Sequence, residues 1–269
     1  MCILALYFQE FKDYPLIVAA NRDEFLTRPS ASPQVLVRSP WVFGGKDLLA
    51  GGTWLGVNEH GLLVGILNRR SQEGRDPSAT RSRGLLCMDI LGAKDPAEAC
   101  AFLRREKGPN YQPFNLLFAD ANEACVAHNM REQIECKKLE KGLHVIGNTS
   151  IYDSAAAKTN HAHTLFSDAE KRVQQSLNQS FLKRWSGAGS PAWDQPSFVR
   201  LFKGILSNHA LRQGSKDPRD AICVHSGNYG TVSSTVIFYM QSEKRFFYHH
   251  ASAPPCRSEY ENYLSVGVL

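Results

Sequence analysis

A cysteine at position 2 heads the apolar run CILALYF (2–8), and a second apolar run, LIVAA (16–20), ends in Asn21-Arg22-Asp23-Glu24. If Met1 is removed, Cys2 carries a thiol and a free α-amine on one residue. Their reference pKa values are about 8.5 for the thiol and about 7.7–8.0 for the amine. Such an amine is a usable general base near neutral pH and takes the thiol proton directly or through a water. A site built this way needs a carboxylate to orient the amine, neutral donors for an oxyanion, and a grip on an acyl or anionic group. Asp23, at the end of the second strand and overshooting its hairpin partner to lie near the chain start, supplies the carboxylate. Asn68, closing LLVGILN (62–68), and Asn148, closing GLHVIGN (142–148), supply amide donors at strand ends. Asn21, Arg22 and Arg69, with Arg70 beside it, are the candidate binding residues. Plainer readings stand beside these. Cys2 could be an ordinary first residue of a strand, Asn21–Glu24 a polar turn with side chains capping backbone amides, and Asn68 and Asn148 turn-formers.

The elements that must position these groups follow from the apolar periodicity. CILALYF and LIVAA predict a hairpin. TWLGV (53–57) and LLVGILN predict a second, joined at Asn58–Gly61. Between them, Pro29, Pro33, Pro40, Gly44, Gly45, Gly51 and Gly52 predict a loop-rich segment. Helices are expected over 82–93 and from Asp95-Pro96 to about Lys107, the latter with an N-cap aspartate and a proline in the first turn. Strands are expected at 114–120, 123–129 and 142–148, and a long helix from about Ser154 to Leu177. A loop is expected over 185–196, a helix over 197–209, and a strand-rich end at 231–240 and 245–250. The order of strands, helices, strands, helices, strands predicts an α+β fold, a four-layer αββα sandwich of antiparallel sheets in one domain spanning 1–269.

Composition sets the class. The chain has 269 residues, 43% of them hydrophobic and 21% charged, with a net charge of +5, which is ordinary for a globular protein. The densest basic group is Arg69, Arg70, Arg75, Arg81 and Arg83; it reads as a solvated loop or as a patch for a phosphate or carboxylate. No aromatics are interleaved with it, which argues against nucleic-acid binding. The seven cysteines include no CxxC pair, which argues against a disulfide framework and a zinc ribbon. No integral membrane segment is expected, and the chain reads as cytoplasmic. His161-x-His163 falls in a predicted helix, where the two rings diverge. His249-His250 falls in a strand, where adjacent side chains also diverge.

The motifs MCILALYF, AANRDEF, GGTWLGVNEHGLLVGILNRR and GLHVIGNTS together resemble the NRDE family, which includes the transport and Golgi organisation protein 2 homologues. The resemblance covers essentially the whole chain. That family is similar in pattern to cysteine N-terminal-nucleophile hydrolases such as conjugated bile acid hydrolases and penicillin V acylase, which share the αββα sandwich. By motif, the nucleophile falls on Cys2, the amine-orienting acid on Asp23, and the oxyanion-side amides on Asn68 and Asn148. The resemblance implies hydrolysis or transfer of an acyl group of a linear amide or acyl substrate, with no cofactor required. Its alternative is a non-catalytic carrier or chaperone for haem or acyl-CoA lipids on the same fold, linked to Golgi or mitochondrial organisation. Two departures are visible. Arg22 is directly beside Asp23, where those hydrolases place an arginine a few residues earlier. The chain also reads Gly230-Thr231-Val232 where the family often reads GTR.

Overall fold

The computed structural model describes residues 3–70, 79–129, 133–149, 153, 156–185, 197–211 and 215–268. Met1, Cys2, Arg75, Ser154 and residues 186–196 of the loop expected over 185–196 lie outside the described residues. β1 (Ile3–Phe11) and β2 (Tyr14–Phe25) form the first hairpin, with Leu4 opposite Ala20 and Leu6 opposite Val18. Successive side chains alternate between faces. Leu4, Leu6, Phe8, Leu16 and Val18 share one core with Phe43, Trp54, Leu55, Leu63 and Val126. Ile3, Ala5, Tyr7, Ile17 and Ala19 share another with Phe166, Val173, Phe198 and Phe202. Burial on both faces is why these strands read as unbroken apolar runs.

The hairpin is the centre of one antiparallel sheet. β10 (Gly142–Ile146) pairs with β1, and β12 (Tyr229–Met240) pairs with β2, followed outward by β13 (Arg245–Ala251) and β14 (Glu261–Gly267). The two-residue β11 (His225–Ser226) pairs with the start of β12. The second sheet is a meander in chain order: β3 (Ser30–Arg38), β4 (Trp41–Asp47), β5 (Leu55–Asn58), β6 (Leu63–Asn68), β7 (Phe114–Ala119), β8 (Ala124–Asn129) and β9 (Ile134–Leu139). α1 (Arg83–Ile90) and α2 (Pro96–Leu103) cover its outer face, burying Leu86, Ile90 and Leu103 against Val64, Leu116 and Phe118. α3 (Ala157–Trp185) and α4 (Ser197–Leu206) cover the outer face of the first sheet. The layers are therefore helices, sheet, sheet, helices, as the element order predicts. Among the described residues, no helix is long and apolar enough to cross a membrane.

Residues 30–47 depart from expectation, forming β3 and β4 rather than a loop, whereas 48–52 lie outside any strand as expected. Gly44 and Gly45, which suggest a loop, are there for close approach. A Cβ on Gly45 would lie 2.4 Å from the Trp54 ring, and one on Gly44 would lie 2.5 Å from the Leu55 carbonyl oxygen. Pro33 falls where the β3–β4 register shifts, a position that tolerates a missing N–H. β9 and β14 were also not expected. β9 reads IECKKL, an outermost strand whose polar residues blunt its free edge.

His249 and His250 are both buried on β13, facing opposite sides. His249 stacks on Phe238 at 5.5 Å between ring centroids, and His250 Nδ1 lies 2.9 Å from Thr235 Oγ1. Burial pushes each imidazole pKa down from 6.5 to about 4, with the Arg22 charge adding to the effect on His250. The unfolded chain therefore binds more protons between about pH 6.5 and 4, and stability falls as pH is lowered through that window. Each histidine contributes a slope of at most about 1.4 kcal/mol per pH unit. Urea unfolding from pH 7 to 4.5 is expected to show this loss, and His250→Asn is expected to flatten the slope.

Candidate active site

β2 remains extended through Phe25, so its alternation continues across Asn21, Arg22, Asp23 and Glu24. This corrects the reading of those residues as a turn, while Asp23 still lies beyond Asn21, the partner of Ile3. The chain reverses much earlier, between Phe11 and Tyr14. Asn21, Arg22 and Asp23 are 0%, 3% and 1% exposed. Buried polar groups at this depth need partners, and each finds them. Asn21 Nδ2 donates to the Leu206 and Ile222 carbonyls at 2.8 and 3.0 Å, and its Oδ1 accepts from Ser234 Oγ at 2.6 Å. Arg22 turns to the opposite face, its guanidinium carbon 4.3 Å from the centre of the Trp54 ring. Its Nη1 donates to Ser30 Oγ at 3.3 Å, and its Nη2 lies 3.8 Å from Asp47. Both residues, expected to bind a ligand, are instead engaged in packing, because strand alternation sends one under α4 and the other between the sheets.

Asp23 lies on the helix side. Its Oδ2 accepts from Lys158 Nζ at 2.8 Å, and its Oδ1 accepts from Thr231 Oγ1 at 2.7 Å. Lys158 stands in the first turn of α3 and is itself 9% exposed. Thr231 is directly opposite Asp23 in the sheet, and a bulge at Val232 separates it from the next pair, Ser233 and Arg22. Val232 is thus the extra residue of a bulge. Thr231 Oγ1 also accepts from the Val224 amide at 2.9 Å, tying the preceding loop to the carboxylate.

Asn68 and Asn148 come from different sheets and meet. Asn148 Nδ2 donates to the Asn68 carbonyl at 2.6 Å, and the Arg70 amide donates to the Asn148 carbonyl at 2.7 Å. Asn115 on β7 holds the same junction, its Nδ2 donating to the carbonyls of Gly147 and Thr149 at 2.9 and 2.8 Å. Asp23, Asn68, Arg69 and Asn148 then line one open cavity of about 510 Å³, together with Phe25, Arg70, Asp217, Arg219, Ser226, Asn228 and Tyr229. Arg219 pairs with Asp217 at 2.7 Å, and Arg70 lies 3.6 Å from Asp220. Burial lowers the Arg69 pKa below its ordinary value, and the nearby Asp153 charge opposes that shift. The expected basic group divides here. Arg69 and Arg70 reach the cavity, whereas Arg81 pairs with Asp89 and Arg83 donates to the Pro113 carbonyl.

Cys2 lies outside the described residues. The described chain starts at Ile3, paired with Asn21, two residues from Asp23. Sequence reasoning did not find Lys158, Thr231, Arg219 or Tyr229. Lys158 carries no local signal, because a lysine in a first helical turn is ordinarily solvated. Thr231 is flagged only by its place beside Val232, since a strand threonine is ordinarily a neutral β-former.

The family model described as Transport and Golgi organisation 2 matches residues 1–253. The chain belongs to that family. The Transport and Golgi organization 2 homolog of Mus musculus is 27% identical over 264 residues, covering 88% of each chain. The homolog of Homo sapiens is 28% identical over 259 residues with the same coverage. Among solved structures, the N-acylethanolamine-hydrolyzing acid amidase ortholog of Caenorhabditis elegans superposes with a TM-score of 0.53. It is 16% identical and covers 88% of this chain and 92% of its own. This Transport and Golgi organisation 2 family member therefore has the N-terminal-nucleophile hydrolase-like fold.

Two substitutions probe the Asp23 cluster and the asparagine junction. Lys158→Met leaves a buried carboxylate without its cation and is expected to lower stability by about 3–5 kcal/mol at pH 7. Adding Asp23→Asn should recover part of the loss, and a double-mutant cycle in urea reads the coupling. Asn115→Leu strips the donors from the Gly147 and Thr149 carbonyls and is expected to cost about 1–3 kcal/mol.

Proposed function

We propose that this chain is a cysteine N-terminal-nucleophile hydrolase-like enzyme that cleaves or transfers an acyl group of a linear amide or acyl substrate. The observation that supports this reading is the meeting of Asp23, Asn68 and Asn148 on the wall of one open cavity. In the proposed reaction, loss of Met1 frees the Cys2 α-amine, which takes the thiol proton. The thiolate forms a bond to the substrate carbonyl carbon, and the carbonyl π-electrons move onto oxygen, which the Asn68 and Asn148 amides stabilise. Collapse expels the amine or other leaving group, which takes the proton held on the α-amine. Water, or an acceptor amine, then attacks the thioester and regenerates the thiol.

The cavity's composition bears on the substrate. Arg69 favours a ligand with an anionic group, whereas Arg70 and Arg219 already face Asp220 and Asp217. Phe25 and Tyr229, in edge contact at 5.5 Å between ring centroids, offer apolar surface for an acyl chain. Phe25 remains 53% exposed.

A second reading is a non-catalytic carrier or chaperone for acyl-CoA or haem that uses the same cavity. Intact-mass measurement separates the readings. The enzyme reading expects a mature chain without Met1 and acylation of Cys2 by an activated acyl thioester, abolished by Cys2→Ala. Retention of Met1, or labelling of Cys2 no faster than the buried Cys87, overturns it. Saturable binding of acyl-CoA or haem without turnover would then favour the carrier.

A further inference from the structure

Outside the cavity, four side chains with metal-binding chemistry converge on one point. One ligand atom from each of His209, Cys223, His225 and Cys256 lies within 4.8 Å of all the others. Cys223 Sγ is 3.7 Å from Cys256 Sγ and 3.8 Å from His225 Nε2, and His225 Nε2 is 3.3 Å from Cys256 Sγ. We propose that these residues form a structural zinc site that pins the wall of the cavity to the body of the fold.

The distances fit a tetrahedral ion. With Zn–S of about 2.3 Å and Zn–N of about 2.0–2.1 Å, a tetrahedron places two sulfurs about 3.8 Å apart and a sulfur and a nitrogen about 3.5 Å apart. The sulfur pair matches the first separation, and the two sulfur–nitrogen distances fall on either side of the second. Two thiolates and two imidazoles also form the mixed soft set that selects zinc over calcium or magnesium. His209 Nδ1 lies 3.1 Å from the Cys223 carbonyl oxygen. A carbonyl only accepts, so Nδ1 donates, which is the outer-shell bond that orients a ligating imidazole.

Sequence spacing conceals such a site, because its ligands come from three separate places. His209 follows α4, Cys223 and His225 flank the entry to β11, and Cys256 lies in the connection from β13 to β14. A bound ion would join these three segments. The middle one carries Ser226, Asn228 and Tyr229 into the cavity wall, and its Val224 amide donates to Thr231, which donates to Asp23. The proposal does not rest on the acyl-transfer reading; a carrier would need the same wall.

The test uses the full chain, reduced and stripped of metal, titrated with cobalt(II) as a spectroscopic stand-in and with zinc in competition. One equivalent of cobalt is expected to bind, with a thiolate-to-metal charge-transfer band and the intense visible bands of tetrahedral coordination, both displaced by zinc. Cys256→Ser, at an exposed position, is expected to weaken cobalt binding at least tenfold, while Cys136→Ser leaves it unchanged. Zinc is also expected to slow amide exchange across 222–231. If the reduced wild-type chain develops no tetrahedral cobalt spectrum, or if Cys256→Ser binds as tightly as wild type, the proposal is overturned. Recovery of a Cys223–Cys256 disulfide from a reduced chain that binds neither metal would overturn it in favour of a thiol redox pair.

Discussion

A strand that keeps its two-residue alternation through a polar sequence must satisfy each side chain on the face where alternation puts it. That constraint on β2 organises the molecule. Asn21 is sent under α4, Arg22 between the sheets, and Asp23 to the first turn of α3. Each is buried, so each has to be met by a partner from a distant part of the chain. Lys158, Thr231, Trp54 and Ser234 are those partners, contributed by both sheets and the helix layer. The tetrapeptide thus serves first as a junction between layers. Asp23 is its one member on the cavity wall.

A second junction opposes it across the cavity. Asn68 ends β6 in one sheet, and Asn148 follows β10 in the other. Their direct hydrogen bond, with the Arg70 amide and Asn115, closes the sandwich at that end. A site placed between two such junctions is held by backbone and buried side chains rather than by loop tips. Rigid placement of this kind is what oxyanion stabilisation requires, since donors that must reorganise lose most of their advantage. The wall formed by 226–229 is tied to β2 by the pairing of Tyr229 with Phe25 and by the Leu26 amide, which donates to the Asn228 carbonyl at 2.8 Å, and the ligands of the proposed zinc site gather beside it.

Much of the architecture was legible in the residues. Apolar runs bounded by turn residues marked β1, β5, β6, β7, β8, β12 and β13, and Asp95-Pro96 marked the start of α2. Legibility failed where a local signal had two physical causes. Gly44 and Gly45 look like loop glycines, yet their missing side chains make room for Trp54 and Leu55 within a strand. Asn21–Glu24 looks like a polar turn because its partners lie far away in sequence. Asp23, Asn68, Asn148 and Arg69, singled out in the sequence by residue type and position at strand ends, line one cavity. Arg22 was included among the binding residues although adjacent strand residues diverge, and that divergence carries it to the other face.

What the sequence determined by itself was periodicity and local chemistry: which runs are strands, which are helices, and which polar residues stand at strand ends. Those properties depend on neighbours within a few residues, so they survive without a fold. The family motifs extended them to the layered arrangement. Only the tertiary structure decided which polar groups share a space. Lys158 faces Asp23 across 135 positions, Asn148 reaches Asn68 across 80, and Cys256 approaches Cys223 across 33. Such pairings arise from burial and strand register over the whole chain, and no local pattern encodes them.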